Sequence, residues 1–296
     1  MFEASYLALE QNGELAARVA AAYVRLHACD LCPRRCGVDR REITGACHTG
    51  IQAVVASVGP HYGEERPLVG RGGSGTIFFS WCNLRCRYCQ NASISQHGEG
   101  RPLSPEQLAV LMLDLQRQGC HNVNLVSPSH VVPQILAATL IAARAGLRVP
   151  LVYNTGGYDA LDSLALLDGV VDIYMPDAKY ADPAVGARYS GVPDYPAVNR
   201  AALREMHRQV GDLEIEGGLA RRGLLVRHLV LPEGLAGTEA VVAFLAKLSP
   251  DTAMNVMGQY RPCHEARALP PLDRRVTRAE VAAARELARE AGLRLL

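Results

Sequence analysis

Three cysteines in one eight-residue stretch are the residues of this chain that point most clearly to chemistry. Cys82, Cys86 and Cys89 are spaced C-x3-C-x2-C and follow the apolar run 76–80. Soft thiolates packed this closely suit an iron–sulfur cluster. A [4Fe-4S] cluster held by three cysteines leaves its fourth iron open to another ligand. The spacing therefore predicts a reactive cluster rather than a purely structural one.

A zinc site is the main alternative for these three cysteines. A closed zinc site needs a fourth ligand, and His97 is the nearest candidate along the chain. The spacing, together with the aromatic Tyr88 just before the third cysteine, resembles the radical S-adenosylmethionine (SAM) superfamily. The number of ligands in this stretch itself favours the cluster over zinc.

A second set of cysteines lies closer to the N-terminus. Its members, spaced C-x2-C-x3-C-x10-C, are Cys29, Cys32, Cys36 and Cys47. Four thiolates can close a tetrahedral zinc site or hold a second [4Fe-4S] cluster, and the spacing does not decide between the two. We predict one further metal centre here, which is either structural or electron-relaying. The region is expected to dock a protein substrate or to staple the N-terminus to the rest of the chain.

The overall composition excludes several classes of protein. The 296 residues include nine cysteines and carry a net charge of +1, which argues against a broad nucleic-acid footprint. No apolar stretch is long enough to span a bilayer. Residues 1–23 predict an amphipathic helix rather than a signal peptide, so metal binding is favoured over a disulfide framework and a cytoplasmic location is expected. Of the isolated cysteines, Cys120 is expected to be buried, and Cys263 to follow the last strand toward the site.

Short apolar runs alternate with amphipathic stretches from residue 75 onward. The runs that predict buried strands are 75–80, 122–126, 149–154, 171–175, 224–231 and 253–257. The stretches that predict helices are 104–118, 131–145, 160–167, 200–211, 238–248 and, at the end, 276–292. Six such units predict a parallel sheet with outer helices, as a partial (β/α)6 barrel rather than a closed eightfold one. We predict an N-terminal helix and four-cysteine extension at 1–74, a glycine-rich junction at 70–75, and the barrel at 75–296.

Polar residues follow the predicted strand ends, where such barrels place their sites. Asn154 and the pair Asp177 and Lys179 stand at or just past such ends, and Arg227 lies within the fifth predicted strand. Lys179 is suited to neutralise the carboxylate of SAM, and Asp177 or Asn154 to bind its amino group or ribose. The alternative for Asp177 and Lys179 is a salt bridge between the two.

The chain as a whole resembles the group of radical SAM proteins identified as pyruvate formate-lyase (glycyl-radical enzyme) activating enzymes. The matching segments are 29–40, 81–91, 154–158, 175–180, 227–232 and 257–262. Asp177 and Lys179 look like the Asp-x-Lys motif near SAM in those enzymes, whereas Ser127-Pro128-Ser129 replaces their glycine-rich loop. The resemblance implies a TIM-like partial barrel that binds a [4Fe-4S] cluster and SAM. The residues expected to contact the cofactor are Tyr88, Asn91, Ser127, Asn154, Asp177, Lys179 and Arg227.

The resemblance also implies a function. The cluster, with Cys82, Cys86 and Cys89 as its catalytic ligands, would take one electron from a donor such as flavodoxin or ferredoxin and cleave SAM to a 5′-deoxyadenosyl radical. That radical would abstract a hydrogen atom, with a glycine of a partner glycyl-radical enzyme as one target. The alternatives are radical modification of another peptide or of a small metabolite, and, from other classes, an iron–sulfur electron carrier or a zinc-stapled binding module.

Overall fold

Strands and helices alternate through most of the computed structural model, which describes residues 2–296. The strands are β1 (Ala53–His61), β2 (Ser74–Phe79), β3 (Arg101–Leu103), β4 (Val123–Val126), β5 (Leu151–Thr155), β6 (Ile173–Pro176), β7 (Glu214–Glu216), β8 (Leu219–Leu229), β9 (Ala253–Met257) and β10 (Arg294–Leu295). The α-helices are α1 (Tyr6–Gln11), α2 (Glu14–Val24), α3 (Arg66–Val69), α4 (Ala92–Ser95), α5 (Pro105–Arg117), α6 (Val132–Arg144), α7 (Leu161–Leu167), α8 (Pro183–Ser190), α9 (Tyr195–Val210), α10 (Thr238–Leu248) and α11 (Arg278–Glu290).

One sheet organises these elements. Strands β2, β4, β5, β6, β8 and β9 run parallel in that order. Strands β1 and β3 add an antiparallel edge on one side, and β10 extends the other side. Six parallel strands with intervening helices confirm the predicted α/β fold of the partial (β/α)6 type. None of the helices formed by residues 2–296 has the length and apolar character needed to cross a membrane.

The predicted elements differ from the structure mainly at their ends. The single helix predicted for residues 1–23 is wrong for the described part, since Gly13 adopts φ 82° and separates α1 from α2. Met1 lies outside the described residues. Strand β8 begins five residues before the predicted 224, because the glycine pair 217–218 turns β7 back onto it. Helix α9 also begins earlier than predicted, at Tyr195, with a proline in its first turn.

The N-terminal region packs directly on the barrel. Strand β1 pairs with β2, and α2 lies against α6. The glycine-rich run 70–75 is a packed turn, since His121 Nε2 accepts hydrogen bonds from the backbone N–H groups of Arg71 and Gly72. A Cβ at Gly72 would lie 2.0 Å from the Gly119 carbonyl oxygen, so the close approach requires glycine. The division into 1–74 and 75–296 stays a prediction.

A buried carboxylate ties the N-terminus to the sheet. Asp172 accepts hydrogen bonds from the Ser5 backbone N–H at 2.9 Å, the Ser5 hydroxyl at 2.8 Å and the Leu151 N–H at 3.0 Å. Burial raises the pKa of Asp172 to about 6 in spite of these bonds. The carboxyl therefore titrates in the folded protein at a higher pH than in the unfolded chain.

We expect this difference to make stability depend on pH. Between about pH 4 and pH 6 the folded protein holds the Asp172 proton and the unfolded chain does not, so the free energy of unfolding falls as pH rises. The pKa difference of about two units corresponds to about 3 kcal/mol. Urea unfolding at pH 4 and at pH 7 should show this fall in the wild type and a smaller one in Asp172→Asn. An equal pH dependence in both proteins would contradict the assignment.

Candidate active site

The loop that follows β2 carries the three clustered cysteines. Its backbone is held by the end of α8, because Arg85 N–H donates to the Ser190 carbonyl at 3.2 Å and Arg87 N–H donates to the Tyr189 carbonyl at 2.8 Å. Gly191 ends that helix in the left-handed conformation, with φ 67°. The loop is thus positioned by a helix that lies about 100 residues further along the chain.

A cavity of about 470 Å³ opens at the carboxyl ends of the parallel strands. Its volume lies within the range of about 300–1,000 Å³ usual for small-molecule sites. Its lining includes the three cysteines and all seven residues that we expected to contact a cofactor: Cys82, Cys86, Cys89, Tyr88, Asn91, Ser127, Asn154, Asp177, Lys179 and Arg227. The fold thus brings together the barrel residues singled out from the sequence.

Each of the three sulfurs has a hydrogen-bonding neighbour. Leu84 N–H donates to Cys82 Sγ at 3.4 Å. Cys86 Sγ lies 2.9 Å from the buried Ser190 hydroxyl oxygen, and Cys89 Sγ lies 3.1 Å from that of Ser95. Such contacts are typical of ligating thiolates, whose charge they stabilise. Neither serine was singled out from the sequence, since nothing local marks them.

The thiol environment fits a group that brings positive charge of its own. Burial raises the pKa of Cys82 to about 12 and also raises that of Cys86, while the Lys179 ammonium acts in the opposite direction on both. Without a metal these sites therefore hold thiols at neutral pH. A bound cluster deprotonates its ligands, so the donor set of three neighbouring thiols, of which Cys86 is buried and Cys82 and Cys89 are partly exposed, fits a [4Fe-4S] cluster.

Asp177 and Lys179 lie at the cavity wall just beyond β6. Their side chains form an ion pair, as the alternative interpretation of the sequence anticipated. Burial acts to lower the pKa of Lys179, but the Asp177 carboxylate outweighs it, and the pKa lies well above its usual range. Lys179 is therefore an ammonium ion at neutral pH. Because both groups line the cavity, the pair can also exchange partners with a zwitterionic ligand.

Two side chains of α9 hold the loops after β5 and β6 in place. Tyr195 accepts a hydrogen bond from the Lys179 N–H at 3.0 Å, and its hydroxyl lies 2.9 Å from the Gly156 carbonyl oxygen. Asn199 Nδ2 donates to the Gly157 carbonyl at 2.9 Å. Gly157 has φ 73°, and a Cβ there would lie 2.1 Å from the Asp177 carbonyl oxygen. Sequence reasoning identified the loops but missed this clamp.

Arg227 reaches the cavity but already has carboxylate partners. Its Nε and Nη2 donate to Glu65 at 2.8 and 2.6 Å, and it also pairs with Glu64. Asn255 Nδ2 donates to the same Glu65 at 2.7 Å. Burial works to raise the pKa of Glu65, but Arg227 outweighs it and the pKa is lowered. The cofactor contact expected of Arg227 stays a prediction. The sequence analysis did not identify the acidic partners of Arg227, Glu64 and Glu65.

The four N-terminal cysteines gather in one loop. Cys29, Cys32 and Cys47 are buried, and Cys36 is partly exposed. Burial raises the pKa of Cys32 to about 12, and the other three thiols act in the same direction because they lie nearby. Within residues 2–296, no three His, Cys, Asp or Glu side chains are grouped so as to hold a single metal ion. The metal centre expected here stays a prediction.

The other cysteines and His97 lie outside the cavity lining. Cys120 is buried just before β4, as expected. Cys263 is partly exposed and, although it follows β9, is absent from the cavity wall. The His97 ring packs edge-on against the His264 ring with centroids 6.1 Å apart, and it also lies off the cavity wall.

Comparisons with known proteins agree with this arrangement. A model of the radical SAM superfamily matches residues 76–210. Uncharacterized protein MJ0674 of Methanocaldococcus jannaschii is 32% identical over 276 residues, which cover 90% of this chain and 76% of the relative. The crystal structure of a radical SAM methyltransferase from Sphaerobacter thermophilus matches 75% of this chain with a TM-score of 0.51 and 15% identity. This chain spans 65% of that methyltransferase, and the likeness shows the fold alone.

Proposed function

This chain belongs to the radical SAM superfamily, and on that premise we propose that it cleaves SAM reductively in the cysteine-lined cavity. The observation that carries the proposal is the placement of three cysteine thiols and the Asp177–Lys179 pair on the wall of one cavity. When bound, a [4Fe-4S] cluster and SAM supply a carbon radical that can take a hydrogen atom from a substrate.

The residues of this chain have separate tasks in that proposal. Cys82, Cys86 and Cys89 hold the cluster. Lys179 neutralises the carboxylate of SAM, and Asp177 accepts hydrogen bonds from its ammonium group or ribose hydroxyls. Such a contact requires the ion pair to open, and the α9 clamp keeps both backbones in place meanwhile. Tyr88, Asn91, Ser127, Asn154 and Arg227 complete the proposed cofactor contacts.

We further propose that the substrate is a glycine in a partner glycyl-radical enzyme. The resemblance to activating enzymes in segments 81–91 and 175–180 supports this choice. Radical modification of another peptide or of a small metabolite is the alternative within the same chemistry. A non-catalytic electron carrier does not bind SAM and therefore does not require a charged pair on the cavity wall.

Three further assignments belong to the same proposal. Residues 1–74 form an extension whose four cysteines hold a second metal centre, as zinc or an iron–sulfur cluster. The electron comes from a low-potential donor such as flavodoxin or ferredoxin. The cytoplasmic location stays a prediction.

Anaerobic reconstitution with iron and sulfide tests the proposal. The dithionite-reduced protein should convert SAM to 5′-deoxyadenosine and methionine, while the zinc-loaded protein should not. A peptide deuterated at a glycine α-carbon should transfer deuterium into 5′-deoxyadenosine if the substrate is a glycyl site. If protein with its full iron content does not cleave SAM, the proposed enzymatic activity is refuted. If deuterium is transferred only from a small metabolite and not from the peptide, the proposed glycyl substrate is refuted.

The serine beside Cys86 is expected to tune the cluster. A hydroxyl that donates to a ligating sulfur stabilises the more negative, reduced state. We expect Ser190→Ala to lower the reduction potential by a few tens of millivolts, since ~1 kcal/mol of lost hydrogen bonding corresponds to about 40 mV for one electron. Redox titration followed by electron paramagnetic resonance measures the shift. Ser93→Ala, an exposed serine in α4, is the matched control, and equal potentials in the two variants would show that Ser190 does not act on the sulfur.

A further inference from the structure

Residues next to the N-terminal cysteines contact residues next to the barrel cysteines. The His48 ring stacks on Trp81 with centroids 4.8 Å apart, and these residues directly follow Cys47 and directly precede Cys82. Two arginines make similar links. Arg34, between Cys32 and Cys36, donates from Nε to the Asn83 carbonyl at 2.9 Å, and Arg85 donates from Nη2 to the Ala46 carbonyl at 2.8 Å.

These contacts cover the cysteine loop from outside the cavity. Arg34, Ala46 and His48 do not line the cavity, whereas Cys82, Leu84 and Cys86 do. The cavity side of the barrel cysteines is the side that SAM and a substrate must occupy. A protein that donates electrons must therefore approach by another face, and the N-terminal loop covers the cysteines there. The partly exposed Cys36 places this loop within reach of solvent.

A buried arginine indicates that the N-terminal thiols carry negative charge when their site is filled. Arg40 is 1% exposed, and its guanidinium donates to the carbonyl oxygens of Thr49, Gly50 and His130 at 2.6–3.1 Å. Among residues 2–296 it has no carboxylate partner within salt-bridge distance. A buried cation needs a counter-charge. The Arg40 guanidinium lies near the Cys29 thiol, and a metal centre bound by four thiolates is anionic.

We propose that Cys29, Cys32, Cys36 and Cys47 hold an iron–sulfur cluster that receives the electron from a protein donor and passes it to the barrel centre. The inference rests on the proposed SAM cleavage and adds the route by which electrons reach that reaction. One electron would pass from a reduced flavodoxin- or ferredoxin-class protein, which becomes oxidised, to the N-terminal cluster. It would then pass to the barrel centre, and the N-terminal cluster would return to its oxidised state. A cubic cluster holds its four thiolates at separate corners and needs no convergence on a single ion.

The composition of the N-terminal centre is tested in a chain with the substitutions Cys82→Ala, Cys86→Ala and Cys89→Ala. After anaerobic reconstitution we expect iron and sulfide in equal amounts, and a paramagnetic signal that appears on reduction with dithionite. Zinc without sulfide, absence of metal, or a cluster that no low-potential donor reduces would each overturn the proposal. This measurement leaves the N-terminal loop unaltered, and its result does not depend on SAM cleavage.

The route is tested by comparing two electron donors on Cys36→Ala. Dithionite is small and can reach the barrel centre through the cavity, so SAM cleavage driven by it should persist. Cleavage driven by reduced flavodoxin should be lost. Cys120→Ala, which removes a buried cysteine outside both sets, should keep both activities.

The outcomes of this comparison separate the two proposals. Equal loss with both donors at unchanged barrel iron content, or no loss with either donor, would overturn the relay. If the wild-type protein cleaves no SAM with any donor, the proposed function fails instead. The metal and paramagnetic measurements then still decide whether the N-terminal cluster exists.

Discussion

Replacing Cys86 by alanine is expected to abolish formation of 5′-deoxyadenosine, a fall to the uncatalysed background of roughly 10⁶-fold or more. Cys86 is the most buried of the three barrel cysteines, and its sulfur lies against Ser190 and within the field of Lys179. Without this thiolate the cluster keeps two protein ligands and is not retained. The measurement is chromatography of the reduced, reconstituted protein with SAM, alongside its iron content.

The matched control for that experiment is Cys120→Ala, because Cys120 is also buried but lies before β4, outside the cavity lining. This variant should keep the wild-type iron content and rate. Turnover at the wild-type rate in Cys86→Ala would show that the three cysteines do not act as one ligand set.

Replacing Lys179 by alanine is expected to weaken SAM binding by about ten- to a hundredfold while leaving iron content and fold unchanged. The ammonium lies on the cavity wall and is charged at neutral pH, because the Asp177 carboxylate raises its pKa. A hydrogen bond to a charged group contributes roughly 1.5–3 kcal/mol, and each 1.4 kcal/mol corresponds to about a factor of ten in affinity. Equilibrium binding of SAM to the reconstituted protein measures the change.

The chain provides its own control, since its other lysine, Lys247, is exposed on α10. Lys247→Ala should bind SAM as the wild type does. Unchanged affinity in Lys179→Ala, with the cluster present, would leave the Asp177–Lys179 ion pair as the whole role of the residue. An ion pair alone would affect the stability of the loop and not the affinity for SAM, so a large loss of affinity distinguishes the two roles.

The sequence alone determined the chemistry of the ligands and the order of the elements. The cysteine spacing is a local property, because it places three thiols within eight residues, and those residues follow a strand that is recognisable from its apolar run. The parallel strands were predicted to within a few residues, and parallel strands bring their carboxyl ends to one edge. That rule predicted Asn154, Asp177 and Lys179 to lie beside the cysteines, and all of them line the same cavity.

Only the tertiary structure decided which residues support those ligands. Ser190 touches the sulfur of Cys86 from 104 positions away, and Glu65 pairs with Arg227 across 162 positions. No periodicity or motif links residues at such separations, because their contact depends on how helices and loops pack on the finished sheet. The stacking of His48 on Trp81 is also a contact that only the tertiary structure shows. The spacing of each cysteine set can be read from the sequence. The contact that joins the two sets forms only when the N-terminal loop packs against the barrel.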